Sequence, residues 1–233
     1  MSAPGCWAVL AAAGSGSRFG GALPKQYATL AGKTVLEHSL SALCAMPEIR
    51  GVALVVAEND QIWPELNLAV DPRVQIVTGG AERADSVLNG LRALAQHADE
   101  NDWALVHDAA RPCVRPADMS ALLNELADDK VGGLWALPMV DTIKQARDGQ
   151  VLETIPRETL WRAQTPQVFR FGLLVGALAD MAASGEQVTD ESAAVERQGH
   201  KPKLVVGSRR NLKITQQEDL ELAAFYLQQM EVQ

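Results

Sequence analysis

Short apolar runs take turns along the chain with longer segments whose apolar residues recur every three or four positions. Residues 7–13 form one such run, which breaks into small residues and glycines, and residues 51–57 (GVALVVA) form another. An uninterrupted run predicts a strand buried on both faces, and therefore a parallel sheet. Residues 73–77, 103–107, 132–138 and 203–206 read as further strands. Between them, Leu36, Leu40 and Leu43 follow a Thr34/Glu37 pair with capping-box spacing, which predicts a helix over 34–45. Val87, Leu88, Leu91 and Leu94 predict a second helix, a third starts near Pro116, and a fourth covers 171–183. Asp190 and Glu191 fall in the first turn of a fifth, where acidic side chains favour the helix dipole. Thr215 and Glu218 repeat the capping-box spacing and open a terminal helix with the stripe Leu220, Ala223, Ala224 and Leu227. Alternating strands and helices imply an α/β fold with a mainly parallel sheet.

One segment breaks the pattern. Over residues 139–165 polar residues are interleaved with apolar ones, Asp148 and Gly149 mark a turn, and no helical stripe appears. This predicts a β-hairpin that leaves the sheet. Such a hairpin is marginal alone, so a homodimer is expected, with the arm on a second subunit.

Composition narrows the function classes. The 233 residues, 47% of them hydrophobic, suffice for one domain spanning 1–233. A net charge of −8 and a pI near 5.0 speak against a nucleic-acid surface, so any anionic ligand must be held by local clusters of Arg and Lys. Cys6, Cys44 and Cys113 lack metal-ligand spacing, and their odd number suggests reduced thiols in a cytoplasmic protein. The first apolar run has no preceding Lys or Arg and falls far short of the roughly 18 residues of a membrane span, so neither a signal peptide nor a membrane association is expected.

The chemistry gathers at the strand ends. Residues 10–26 read LAAAGSGSRFGGALPKQ, a strand feeding a glycine loop that reaches Arg18 and Lys25. Glycines let backbone N–H groups approach an anion closely, and the two cations add charge that backbone dipoles cannot supply. Two common glycine loops do not fit. Phe19 stands where a dinucleotide fingerprint needs its third glycine, and Ala22 stands where the P-loop spacing from Gly16 needs lysine. A second glycine turn, GGAERADSV, brings Arg83 and Ser86 to the same rim, since ligands of doubly wound sheets sit beyond the carboxyl ends of strands. Asp108, at the end of the strand over 103–107, is placed either to hold a hard divalent cation or to cap the turn before the next helix. Lys213 precedes the terminal helix, as a site cation or a solvated lysine.

The strings AAAGSGSRFG, PKQY, GGAERADSV, HDAARP, DTIK, TPQ, TDE and NLKIT, in this order, resemble the 2-C-methyl-D-erythritol 4-phosphate cytidylyltransferases of the non-mevalonate isoprenoid pathway. The glycine loop is shared with many nucleotidyltransferases, whereas its combination with HDAARP and NLKIT is specific, and the resemblance covers essentially the whole chain without the second domain of the fused form. It implies a Rossmann-like sheet with helices on both faces and a projecting dimerisation hairpin. It also implies transfer of CMP from CTP to 2-C-methyl-D-erythritol 4-phosphate with release of pyrophosphate, assisted by Mg²⁺. On that resemblance Arg18, Lys25 and Lys213 hold the triphosphate and stabilise the transition state, and Asp108 is the metal-side carboxylate. Ala12, Ala13, Gly14, Gly16, Gly80 and Ser86 form the nucleotide site. Thr142 and Arg157 of the partner subunit's arm contact the sugar phosphate, supported by Thr165 and Arg111. Arg210 stands where some members carry an acidic residue, which leaves Asp108 without a second carboxylate from that stretch. The competing expectations are a pentitol-phosphate (ribitol-5-phosphate) cytidylyltransferase, against which the Ala109/Ala110 pair weighs, and a non-catalytic nucleotide-sensing domain, which has no use for four charged residues together. A phosphate monoester needs no general base, so His107 is expected to be a packed or hydrogen-bonded neighbour of Asp108.

Overall fold

The structure, a computed structural model, describes residues 4–14, 19–20, 23–66 and 71–231. In chain order the elements are β1 (Cys6–Ala11), the short β2 (Thr29–Leu30) and β3 (Lys33–Thr34), α1 (Val35–Cys44), β4 (Ile49–Val56), β5 (Val74–Thr78), α2 (Arg83–Leu94), β6 (Trp103–Asp108), α3 (Pro116–Glu125), β7 (Gly132–Pro138), β8 (Ile143–Arg147), β9 (Gln150–Ile155), β10 (Trp161–Arg170), α4 (Phe171–Ser184), α5 (Glu191–Arg197), β11 (Lys203–Val206) and α6 (Asp219–Glu231).

Seven strands make one sheet in the order β11-β7-β10-β6-β1-β4-β5. Every neighbouring pair is parallel except those of β10, which runs against both β6 and β7. The residues of β1 explain why its run is continuous. Ala8 and Leu10 join one apolar cluster with Leu36, Leu40, Met119 and Leu122, while Trp7 and Val9 join another with Val87, Leu91, Phe169 and Leu174. Alternate side chains thus enter two different cores, with α1 and α3 on one face and α2, α4 and α5 on the other. A third, smaller cluster seats α6, through Ala223 and Leu227, against Phe19, Leu30, Val35 and Ile214. Gly90 lets α2 lie flat on the sheet, since a Cβ there would come within 2.8 Å of Val9 and 2.9 Å of Val55.

Helix α1 carries the capping box read from sequence: Thr34 Oγ1 accepts from the Glu37 N–H, and Glu37 Oε2 accepts from the Thr34 N–H at 2.6 Å. The terminal helix starts later than its sequence suggests. Asp219, not Glu218, accepts from the Thr215 and Gln216 N–H groups and the Thr215 hydroxyl, so residues 215–218 form a turn and α6 begins at Asp219.

The expected arm over 139–165 also has different limits. Strands β8 and β9 form a two-stranded hairpin of their own, closed by Asp148 and Gly149 with φ of +50° and +77°. Positive φ at both central residues gives the turn that matches strand twist, and Asp-Gly is suited to it. Residues 161–165, however, belong to β10, which returns into the main sheet and is buried from Gln164 to Phe169. The first three residues of that stretch are exposed and pair only with β7, as in a hairpin, while Gln164 and Thr165 are buried at the register shift before β10 pairs with β6.

Candidate active site

The order β5-β4-β1-β6 means that the chain moves outward from β1 and then crosses back, so strand order reverses between β1 and β6. The crevice beyond that reversal is where a doubly wound sheet holds ligand. Ala11 at the end of β1 pairs in register with Asp108 at the end of β6, and a cleft of about 390 Å³ opens there.

Ala12, Ala13, Gly14, Lys25, Gly80, Ser86, Asp108 and Lys213 all line this cleft. Arg18 and Gly16 lie outside the described residues. Gln26, unremarked in the sequence reading although it adjoins Lys25, donates from Nε2 to the carbonyls of Ala12 at 2.9 Å and Gly14 at 3.2 Å, so the glycine loop is tethered from below. On the opposite wall the Ser86 hydroxyl accepts from the Gly80 N–H at 3.0 Å. Gly79 permits this turn to close on the first loop, because a Cβ there would stand 2.7 Å from Ala13 Cβ and 2.8 Å from Ser86 Oγ.

Asp108 is the electrostatic centre. Its Oδ1 accepts from Arg83 Nε at 3.1 Å and Nη2 at 2.9 Å, its Oδ2 lies 2.7 Å from Lys213 Nζ, and Arg111 Nε stands 3.8 Å away. Burial opposes ionisation of the carboxyl, but Arg83, Lys213 and Arg111 outweigh it and hold its pKa far below the usual carboxylate range. Arg111 is placed by donation to the Asn211 carbonyl at 2.8 Å, and its pKa is lowered by burial and by the neighbouring Arg162 and Arg83.

Behind Asp108 runs a fixed chain of hydrogen bonds. The Asp108 N–H donates to Thr165 Oγ1 at 3.1 Å, Thr165 Oγ1 and His107 Nδ1 are 3.1 Å apart, and His107 Nε2 lies 3.1 Å from the Arg111 carbonyl. A carbonyl can only accept, so Nε2 carries the proton and the Thr165 hydroxyl donates to Nδ1. His107 is therefore a neutral, fully buried spacer, and burial lowers its pKa to about 4. Asn211 completes the frame by donating from Nδ2 to the Thr165 carbonyl at 2.7 Å, while the Ile214 N–H bonds the Ala110 carbonyl at 2.8 Å; together they hold the loop carrying Lys213.

One sequence expectation changes here. Asp190 caps α5 by accepting from the Ala193 N–H, as a first-turn acid should. Glu191 instead is fully buried, and its carboxylate takes Arg83 Nη1 at 2.6 Å and Nη2 at 3.2 Å. Burial raises the Glu191 pKa, partly offset by the Arg83 guanidinium. Arg83 is opposed by burial, but the two carboxylates prevail and raise its pKa. Nothing in the sequence near Glu191 distinguishes it from a dipole-stabilising acid, because its partner is remote in the chain. Thr142 and Arg157 do not line the cleft; both are exposed, and the Arg157 guanidinium donates to the Val140 carbonyl at the root of the hairpin.

Among the described residues no group of three or more His, Cys, Asp or Glu side chains is arranged to hold a metal. Arg83, Arg111 and Lys213 thus surround the Asp108 carboxylate in a cleft walled by backbone turns, a concentration of positive charge that can receive an anion.

A family profile described as IspD, 2-C-methyl-D-erythritol 4-phosphate cytidylyltransferase, matches residues 6–229. A Pseudomonas putida protein with that enzyme name is 52% identical over 220 residues, covering 94% of each chain. A Pseudomonas aeruginosa protein of the same name is 52% identical over 219 residues, 93% of this chain and 94% of its own. The crystal structure of Francisella tularensis 2-C-methyl-D-erythritol 4-phosphate cytidylyltransferase superposes with a TM-score of 0.83 at 32% identity, covering 95% of this chain and 99% of that one.

Proposed function

The chain belongs to the 2-C-methyl-D-erythritol 4-phosphate cytidylyltransferase family, and from that premise we propose how its own residues carry out the transfer. The reaction moves CMP from CTP to 2-C-methyl-D-erythritol 4-phosphate, giving 4-diphosphocytidyl-2-C-methyl-D-erythritol and pyrophosphate. The carrying observation is that two glycine turns, Lys25 and the Lys213–Asp108 pair converge on one cleft at the point where strand order reverses.

CTP lies with its triphosphate on the first glycine loop and its base in the turn closed by Ser86 and Gly80, where fixed backbone groups and a small volume select a pyrimidine. A phosphate oxygen of the alcohol phosphate attacks the α-phosphorus, the bond to the β-phosphate oxygen breaks, and pyrophosphate departs with that electron pair. The attacking oxygen is already ionised near neutral pH, so the protein needs no general base. Its contribution is alignment and the placement of positive charge where the transition state gathers negative charge. Lys25, Lys213 and Arg18 carry that charge, with Arg111 and Thr165 holding Asp108 and its surroundings in place.

Asp108 suits a Mg²⁺ ion in one respect: it is an ionised carboxylate in the cleft wall, and this ion uses one or two carboxylates with phosphate oxygens and waters. Asp108 would hold it together with the triphosphate, and the ion would add neutralising charge there.

The hairpin of β8 and β9 supports a homodimer. Val151 and Leu152 on it are 60% and 55% exposed, more apolar surface than a lone two-stranded ribbon sustains in water. In a two-fold dimer Thr142 and Arg157 of the arm enter the other subunit's cleft and meet the alcohol phosphate. Three free cysteines, two of them buried, fit a reducing cytoplasm. No helix among the described residues is long and apolar enough to cross a membrane.

Pyrophosphate release tests the reading, with CTP and either 2-C-methyl-D-erythritol 4-phosphate or ribitol 5-phosphate, with and without Mg²⁺. Rapid Mg²⁺-dependent release with the first alcohol alone is expected; release with the pentitol alone, or with neither, would overturn it.

A further inference from the structure

Glu191 is a fully buried acid at the cleft that the transfer chemistry leaves unused. It opens the seven-residue α5, but Asp190 already caps that helix, so capping does not account for it. A fully buried carboxylate is costly unless it is paired. Its pairing is bidentate and with a single residue, Arg83, which lies 108 positions away and lines the cleft. Arg83 reaches Asp108 with the remaining edge of the same guanidinium.

A second set of bonds closes this link into a ring. Gln167 Nε2 donates to Asp190 Oδ2 at 2.9 Å and Gln167 Oε1 accepts from the Ser192 N–H at 2.8 Å, which ties the start of α5 to β10. Two residues earlier in β10, Thr165 accepts from the Asp108 N–H. Asp108, Arg83, Glu191, α5, β10 and Thr165 thus return to Asp108, and the carboxylate is gripped from its backbone and from its side chain. The Arg83 side chain is 30% exposed, so without Glu191 a guanidinium at the cleft would be drawn to an incoming triphosphate.

We infer that Glu191 is a positioning residue for cytidylyl transfer: by holding both terminal nitrogens of Arg83, it keeps that guanidinium on Asp108 and off the phosphates, leaving Lys213 and the glycine loop to meet the nucleotide. This rests on the reading that Asp108 and Lys213 belong to the transfer site.

The test combines calorimetric CTP titration, which counts binding-competent chains, with turnover expressed per competent chain, for Glu191→Gln, Arg83→Gln and the double variant. Glu191→Gln should bind one CTP per chain no more weakly than the parent, because the site has lost a negative charge, and should turn over at least tenfold more slowly. In the Arg83→Gln background the same substitution should change turnover less than twofold, since Glu191 acts through Arg83. A merely structural role would lower the competent fraction and leave turnover per competent chain intact. Turnover of Glu191→Gln within twofold of the parent, or a tenfold loss that persists without Arg83, would overturn the inference. Should Glu191→Gln fail to fold, Glu191→Asp, which keeps the charge but is too short to hold both nitrogens, is judged by the same criteria. Lys213→Ala in the same assay separates the two levels: near-normal turnover there removes the site reading itself, whereas normal turnover in Glu191→Gln removes only the positioning role.

Discussion

At the scale of single residues, the site is governed by how many cations share how few carboxylates. Lys213 has Asp108 as its partner at 2.7 Å in the free protein, and an incoming triphosphate offers it more negative charge than one carboxylate can. Lys213→Ala and Arg18→Ala should each depress kcat far more than CTP affinity, by about 3 kcal/mol in the transition state or on the order of 100-fold in rate, as measured by steady-state kinetics. Near-normal turnover in both variants would remove these cations from the transition state. His107 makes a prediction about stability. Its pKa is about 4 in the folded chain and about 6.5 when unfolded, so the unfolded chain binds the proton first as pH falls. Folding stability is unaffected above about pH 6.5 and declines between there and pH 4, by about 3 kcal/mol in total. Asp108 acts in a different window: its depressed pKa adds stability above the ordinary carboxylate range that is lost only at lower pH. Glu191, with a raised pKa, acts in the opposite sense, so the contribution of His107 is the difference between the parent and His107→Gln in urea denaturation from pH 7 to pH 4. Parallel pH profiles for the two proteins would mean that His107 titrates alike in the folded and the unfolded chain.

At the scale of elements, the proposed base recognition falls to the turn between β5 and α2. Gly79 brings this turn against Ala13, and the Ser86 hydroxyl accepts from the Gly80 N–H, so the polar groups of the turn are fixed in place by backbone. A site that pairs the exocyclic amine of cytosine with fixed acceptors leaves one unpaired when uracil enters. CTP should therefore be preferred to UTP and to purine triphosphates in kcat/KM, and comparable efficiency with UTP would place base recognition elsewhere. The same element shows how a close approach constrains sequence. Replacing Gly79 with Ala would press a methyl group into Ala13 and Ser86, and weaker CTP binding with an intact fold, followed by calorimetry and thermal melting, is the expected result.

At the scale of the whole molecule, the exposed hairpin raises the question of where a second cluster of charge for the alcohol phosphate comes from, since Lys213, Arg83 and Arg111 already surround Asp108. If Arg157 serves the other subunit, Arg157→Ala and Lys25→Ala damage different halves of one composite site. Mixing the two inactive proteins under conditions of subunit exchange would put both lesions in one site of each heterodimer and leave its other site intact. Activity should return toward half of the parental value per heterodimer, and no recovery in demonstrated heterodimers would return Arg157 to its own subunit or take it out of the site.

The sequence by itself determined whatever depends on neighbours along the chain. The continuous apolar run of β1 announced burial on both faces, Thr34 and Glu37 announced the start of α1, Asp148 and Gly149 announced a tight turn, and the two glycine turns with Asp108 marked the rim of the cleft. Each follows from side-chain periodicity or backbone permissiveness over a few residues, which is why it can be read without coordinates. Only the tertiary structure decided that β10 enters the sheet between β6 and β7, that His107 bonds the Arg111 carbonyl and the Thr165 hydroxyl, and that Glu191 is a buried partner of Arg83. Those outcomes turn on which distant segments desolvate one another: an acid at the first position of a helix is equally suited to solvent or to a guanidinium, and only packing across 108 residues of chain chooses between them.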